Sequence, residues 1–204
     1  MTHIDPSTAP TSTRFAEITA FAATIADVDP TSPTRCPGWT AHDLLAHVVA
    51  GGDEMLRLID DALDDAPPTP TRGFAEREAP LRRMDAPDLL DRMAVGGAAL
   101  LTAIGALHER SPWARVAFTR ADLTATQLMT HVRSELALHR WDLVGDDDIG
   151  RGFLAEPALL EHGRWVLSHM PDLEEARHRP ADDHGDLLVL WGRRPTTVAA
   201  APRA

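Results

Sequence analysis

The chain has 204 residues, of which 44% are hydrophobic, and this is enough for one globular domain with an ordinary core. The formal net charge of -11 argues against nucleic acid or an anionic membrane as the main partner, because the sequence has no basic block to bind phosphates. The only cysteine, Cys36, excludes an intramolecular disulfide and a cysteine-rich structural zinc site.

The N-terminus does not resemble a targeting signal. Its first residues, MTHIDPSTAPTSTR, lack a charged region followed by an apolar run, and no segment approaches the roughly eighteen apolar residues of a membrane span. Residues 1–12 are rich in Thr, Ser and Pro, so we expect them to be disordered. The sequence contains no Lys, Tyr or Asn, which indicates biased codon usage in a GC-rich bacterial genome. We therefore expect a cytoplasmic protein.

Apolar residues at helical spacing predict an all-α fold, a four-helix bundle over residues 13–150. The first helix is expected over 14–27, the second over 41–63 after a Thr40–Asp43 capping box, the third after an Asp85 cap, and the fourth over 123–145. Residues 64–84 read as a long connection rich in Pro and charge, and residues 111–122 as a short link.

The region after the bundle is predicted less specifically. A further helix is expected over about 157–170, and the apolar run HGDLLVLWGRRPTTV reads as either helix or strand. We interpret residues 151–204 as a short C-terminal extension. A homodimer would suit a small bundle, but no apolar stripe identifies its interface.

The fourth helix carries a carboxylate and an imidazole that could bind one metal ion. Glu135 and His139 are four residues apart, so their side chains leave the same helix face roughly 6 Å apart. With His47 from the second helix they would give two imidazoles and one carboxylate, the ligand set of a catalytic zinc with open positions. The alternatives are a surface ion pair for Glu135 and His139, and a hydrogen-bonded core histidine for His47.

Several neighbours of these residues have two interpretations each. Asp43 could orient His47 or only cap its helix. His131 could be a proton shuttle, a fourth ligand or a polar neighbour of Glu135. Cys36 could be a nucleophile or could pack in its turn. Trp39 and Trp141 could line a pocket near the metal or could be buried in the core.

Two segments resemble a known family. The run RCPGWTAHDLLAHVV, and about ninety residues later ELALHRWDLVG, are similar to the N-terminal domain of mycothiol-dependent maleylpyruvate isomerase, one of the DinB-like metal-binding four-helix bundles. The resemblance covers about residues 12 to 150. The family's metal ligands fall on His47, Glu135 and His139.

The resemblance implies a divalent metal, usually zinc, and mycothiol, the small thiol of actinobacteria, as co-substrate. The metal would bind the thiol sulfur as thiolate and direct it at an electrophilic carbon. The extension over residues 151–204 departs from the family's separate α/β domain, although GDLLVLWGRRP resembles the end of that domain, so the extension could be a reduced form of it. Maleylpyruvate itself is therefore not the substrate we expect.

We therefore expect a mycothiol-using transferase or isomerase that acts on a small electrophile. The alternatives are a metal-hydroxide hydrolase on the same site and a non-catalytic binding or regulatory bundle. No residue beyond the metal ligands is assigned to catalysis. Arg82 and Arg193 are the candidates for cofactor binding, with a solvated loop and a solvated tail as the alternatives. The other arginines of the loop group are Arg72, Arg77 and Arg83.

Overall fold

The computed structural model describes residues 15–119, 121–169 and 187–193. The expected disorder of residues 1–12 lies outside this part of the chain. In chain order the elements are α1 (Ala16–Asp27), α2 (Ala41–Leu63), α3 (Phe74–Leu81), α4 (Ala86–Arg110), β1 (Arg115–Phe118), β2 (Ala121–Thr124), α5 (Ala125–Val144), α6 (Asp148–Leu154), α7 (Pro157–Ser168) and α8 (Leu187–Leu190).

Four of these helices, α1, α2, α4 and α5, form a bundle, so the predicted all-α four-helix architecture is confirmed. The most extensive contacts join α2 to α4 and α1 to α5. Apolar side chains from α1, α2 and α5, among them Phe21, Leu44 and Leu136, form one core cluster. A second cluster lies further along α2 and α4 and includes Ile59 and Leu107.

The helix starts follow from local capping. Thr40 and Asp43 form the expected capping box of α2, and Asp85 caps α4 by accepting a hydrogen bond from the backbone of Asp88. The predicted start of the fourth helix is wrong by two residues, because a Thr124–Gln127 capping box begins α5 at Ala125. The helix ends at Gly145, whose φ of 76° favours glycine.

Two connections contain structure that the sequence did not predict. The supposed link over residues 111–122 contains most of an antiparallel hairpin, in which Val116 pairs with Leu123. Both of these side chains are buried, and they extend the core cluster at this end of the bundle. The supposed loop over residues 64–84 contains helix α3, which packs on α2. The periodicity of α3 was obscured by its charged residues and by Pro80 inside the helix.

The C-terminal elements pack against the bundle. Helices α6, α7 and α8 share a core cluster with the last turns of α5, including Leu138, Leu159 and Leu187. The expected fifth helix over 157–170 is present as α7, and the apolar run is helical at α8. The fourth bundle helix is therefore covered by the chain that follows it.

The expectation that no segment approaches a membrane span is wrong by length and composition, because one described helix, α4, is long and apolar enough to cross a membrane. Such a match is weak evidence, because core helices of water-soluble proteins pass the same test. In this fold Leu89, Leu100 and Ile104 of α4 are buried in the bundle. Arg92 on the same helix forms an ion pair with Asp53 of α2.

Candidate metal centre

His47 of α2 and the Glu135–His139 pair of α5 meet inside the bundle. Each residue offers one ligand atom, and the three atoms lie within 4.8 Å of one another. The two imidazole rings contact edge to face with centroids 5.1 Å apart. The helical spacing of Glu135 and His139 and the packing of α2 on α5 thus bring together the three residues expected from the sequence.

His139 is 4% exposed, and its two ring nitrogens have different surroundings. Nδ1 lies 3.0 Å from an oxygen of Asp142, three residues further along α5. Nε2 is buried without a hydrogen bond and lies 3.5 Å from a carboxylate oxygen of Glu135. Burial alone would lower the pKa of His139, but the hydrogen bond to Asp142 and the negative charges nearby raise it well above its ordinary value.

His47 is held in a similar way by a different helix. Its Nδ1 lies 2.7 Å from Glu78 of α3, so Nε2 is the nitrogen left for a ligand. Burial and the neighbouring His139 lower the pKa of His47, which favours the neutral imidazole that metal binding needs. Asp43, which could have oriented His47, instead caps α2 and pairs with Arg82.

The donor set fits a divalent metal such as zinc. A carboxylate bound to the Nδ1 of a metal-binding histidine fixes the ring orientation and leaves Nε2 as the ligand atom. Both histidines have such a carboxylate, and the buried Nε2 of His139 lies 3.5 Å from Glu135. Two imidazoles and one carboxylate match a common catalytic zinc site.

The two arginines predicted to contact a cofactor, Arg82 and Arg193, bind the carboxylates that hold the histidines. Arg82 binds Glu78 at 2.8 Å and also contacts Asp43. Arg193 donates from Nε and Nη2 to both oxygens of Asp142, at 2.9 to 3.1 Å. Both positions favour a supporting role over direct contact with a thiol or substrate. Arg193 is 24% exposed in its side chain, so the alternative of a solvated tail is wrong for this residue.

Charge around the centre keeps its carboxylates ionised. Burial would raise the pKa of Glu135, but His139 and the neighbouring His131 and His47 lower it below its ordinary value. The pKa of Asp142 is lowered to about 2, because hydrogen bonds from His139 and Arg193 outweigh burial. Ionised carboxylates and a neutral His47 are the protonation states that bind a cation, whereas His139, whose pKa is raised, must lose its Nε2 proton when a metal binds.

A cavity of about 570 Å³ opens beside the three residues, and its lining is mostly apolar. This volume is in the range of sites for small organic ligands. His131 also lines the cavity, and its Nδ1 lies 3.3 Å from Nε2 of His162 on α7. Trp191, next to α8, reaches the cavity as well.

The remaining sequence candidates lie around the centre but outside the cavity lining. Cys36 is half-buried in its turn, where its backbone N–H donates to Thr34. Its sulfur is within 4.8 Å of ligand atoms of His139 and Asp142. Trp141 is 9% exposed and belongs to the C-terminal core, whereas Trp39 packs beside His47, with ring centroids 5.1 Å apart.

Comparison with known proteins identifies the family and the fold. The family described as mycothiol maleylpyruvate isomerase N-terminal domain matches residues 12–144. Solved structures of mycothiol-dependent maleylpyruvate isomerase, and of a histidine-to-alanine mutant of that enzyme, are similar to this chain with a TM-score of 0.59. Each is 18% identical, over 79% of this chain and 70% of the other, and at this identity the likeness shows the fold alone.

No curated protein sequence matches the chain. The family match nevertheless spans well over half of the chain and contains all three residues of the candidate centre. The chain belongs to the mycothiol maleylpyruvate isomerase N-terminal domain family.

Proposed function

We propose that the chain is a metal-dependent enzyme that uses mycothiol to transform a small electrophilic substrate, as an isomerase or a thiol transferase. The observation that carries the proposal is the pair of histidines whose Nδ1 atoms are both held by carboxylates, with the buried Nε2 of His139 beside Glu135. His47, Glu135 and His139 would hold one divalent metal, with zinc as the expected ion. The cytoplasm is its expected location.

When bound, the metal supplies a Lewis acid that lowers the pKa of a thiol, so that the thiolate nucleophile forms at neutral pH. The chain's own residues prepare this site. Glu78 and Asp142 orient the two imidazoles, and the negative charge of Glu135 stabilises the cation. The apolar cavity beside them excludes water and holds the substrate.

We also propose how the chain is divided into a bundle and an extension. Residues 13–150 would form the metal-binding bundle, and residues 151–204 an extension that completes it. The support is the core cluster shared by α5, α6, α7 and α8 and the contact between Arg193 and Asp142. On this view the extension helps to hold a metal ligand in position.

Metal-hydroxide hydrolysis is the second candidate function. It is favoured by His131, which lines the cavity one helical turn before Glu135 and whose pKa is lowered by burial. A neutral imidazole in this place could accept a proton from water. Hydrolysis would proceed without thiol, which separates it from the first proposal.

The test is turnover of maleylpyruvate and of simple electrophiles by the zinc-loaded full chain, with and without mycothiol. The cobalt-substituted protein gives a second readout, because thiolate binding to cobalt produces a charge-transfer absorption band. We expect thiol-dependent turnover and the band in the wild-type protein and in His108→Ala, a control at an exposed histidine. Both should be lost in His47→Ala and Glu135→Ala.

Three results would contradict the first proposal. Turnover without thiol would favour the hydrolase. A bound metal whose spectrum does not respond to mycothiol, with no turnover of any substrate, would favour a non-catalytic binding bundle. Equal activity of Glu135→Ala and the wild-type protein would remove the assigned site from the mechanism.

A further inference from the structure

Arg77 of α3 is a buried cation that forms no ion pair with any residue the structure describes. The residue is 7% exposed, and its Nε and Nη1 atoms are both buried without a hydrogen bond. Among the described residues, no carboxylate lies within ion-pair distance of its guanidinium group. A buried charge is normally paired or bound to a ligand, because removing it from water is unfavourable.

The other arginines near the site satisfy this rule. Arg72 binds Glu54 at 2.5 Å, and Arg82 binds Glu78 at 2.8 Å. Arg92, which lines the cavity as Arg77 does, is paired with Asp53. Arg77 is therefore the guanidinium of the described cavity lining that remains available to an anion.

Helix α3 places Arg77 close to the candidate metal ligands. Phe74, Arg77 and Glu78 are spaced by three and four residues, so they lie on one helix face. The Phe74 ring contacts both neighbours, with its centroid 5.7 Å from that of His47 and 4.6 Å from Cζ of Arg77. His47, Phe74 and Arg77 all line the cavity, and the Phe74 ring lies beside both the imidazole and the guanidinium.

We propose that Arg77 binds a carboxylate of the substrate inside the cavity. A planar guanidinium can bind the two oxygens of a carboxylate at once, which would fix both the position and the orientation of the ligand. The ligand class is then an organic acid small enough for the cavity. A role for this carboxylate in turnover rests on the proposed function, but the binding of a carboxylate at Arg77 does not.

The experiment measures binding of maleate, a small dicarboxylate, to the full chain by titration calorimetry. Protein stripped of metal with a chelator and protein loaded with zinc are titrated separately, so that binding to the metal is distinguished from binding to Arg77. We expect Arg77→Gln to weaken maleate binding at least tenfold in both forms. The matched control is Arg83→Gln, which removes an exposed arginine of the same segment and should bind maleate normally.

A structural role for Arg77 predicts a different pattern. Replacing a structural arginine lowers the melting temperature, whereas replacing an unpaired buried charge by Gln should leave it unchanged or raise it. Maleamide, the uncharged diamide of the same shape, should bind the wild-type protein no more tightly than it binds Arg77→Gln.

Three outcomes would overturn the inference: maleate binding to Arg77→Gln at wild-type strength, absence of maleate binding to the wild-type protein, or a large fall in the melting temperature of Arg77→Gln. Loss of maleate binding in Arg77→Gln without any thiol-dependent turnover would instead support the carboxylate site and reject the proposed function.

Discussion

Each histidine of the candidate centre is held by a carboxylate that is itself bound by an arginine. We call Asp142 and Arg193, which hold His139, the C-terminal support, and Glu78 and Arg82, which hold His47, the α3 support. His139 is held by Asp142 from the same helix, and Asp142 is held by Arg193 from the C-terminal segment. His47 is held by Glu78, which comes from α3, and Glu78 is held by Arg82. The chemistry of the two supports is the same, since each is a chain from arginine to carboxylate to imidazole.

The supports also differ in burial. Asp142 and His139 have side chains exposed by 1% and 5%, whereas Glu78 and His47 are exposed by 7% and 18%. Polar contacts are stronger and less replaceable by water where they are more deeply buried. The C-terminal support should therefore contribute more to metal affinity than the α3 support.

The largest effect is expected for Asp142→Ala. This change removes the acceptor for His139 and leaves the Arg193 guanidinium without its carboxylate. Zinc affinity should fall roughly a hundredfold, and the free energy of unfolding by about 3 kcal/mol. Competition with a chromophoric chelator and urea unfolding measure the two quantities. Asp148→Ala, at an exposed position, is the control, and an equal loss in both variants would contradict the account.

Acid should destabilise the fold through Glu54, which binds the segment just before α3. This α2 carboxylate is fully buried and binds Arg57 and Arg72, and although burial would raise its pKa, these partners lower it from 4.5 to about 2. A folded-state pKa below the unfolded value means that this stability is present above pH 4.5 and is lost as the pH falls towards 2. The expected loss is on the order of 2 to 3 kcal/mol.

Urea unfolding at several pH values between neutral and acid tests this linkage. Glu54→Gln should be less stable at neutral pH, and its stability should depend less steeply on pH below 4.5 than that of the wild-type protein. Glu109→Gln, at an exposed position, should keep the wild-type dependence. Parallel pH curves for Glu54→Gln and the wild-type protein would show that the buried carboxylate is not the source of the linkage.

A smaller effect is expected for Glu78→Gln. The amide can still accept a hydrogen bond from His47, but the negative charge that supports the imidazole is lost. Zinc affinity should fall about tenfold, within the range known for residues behind metal ligands. Chelator competition measures it, with Glu76→Gln on the exposed side of α3 as the control. A loss as large as that of Asp142→Ala would reject the ranking of the two supports.

The smallest effects are expected for the two arginines. Arg193→Gln should lower zinc affinity by roughly three- to tenfold, because three hydrogen bonds to a buried carboxylate are lost. Arg82→Gln should lower it less than threefold, because this side chain is 32% exposed and water can replace its contacts. The same competition assay ranks them, and the reverse order would count against a role for burial.

Contacts in the site could be predicted from the sequence where the two residues are close together in the chain. Glu135, His139 and Asp142 lie on one helix strip, so their spacing alone places them together. The contact between His47 and Glu78 joins residues 31 positions apart, and Glu78 lies in a segment that reads as a loop because Pro, Gly and charges dominate it. No local pattern predicts that this segment folds over His47.

The elements of the fold could likewise be predicted where their signals are local. The four bundle helices were predictable because their apolar residues recur at helical spacing and their caps, such as Thr40 and Asp85, are local. The hairpin was missed because each of its strands has only four residues, too few for an alternating pattern to be decisive. Arg77 appeared as one of four arginines in a charged loop, and only the packing of α3 distinguishes it from the paired ones.

The metal centre is tested by the metal content of protein purified without chelator, measured by elemental analysis. We expect close to one zinc ion per chain in the wild-type protein and in His108→Ala. We expect little or none in His47→Ala and Glu135→Ala. A wild-type protein without metal, or a metal content that neither substitution at the centre changes, would contradict the assignment of these residues as ligands.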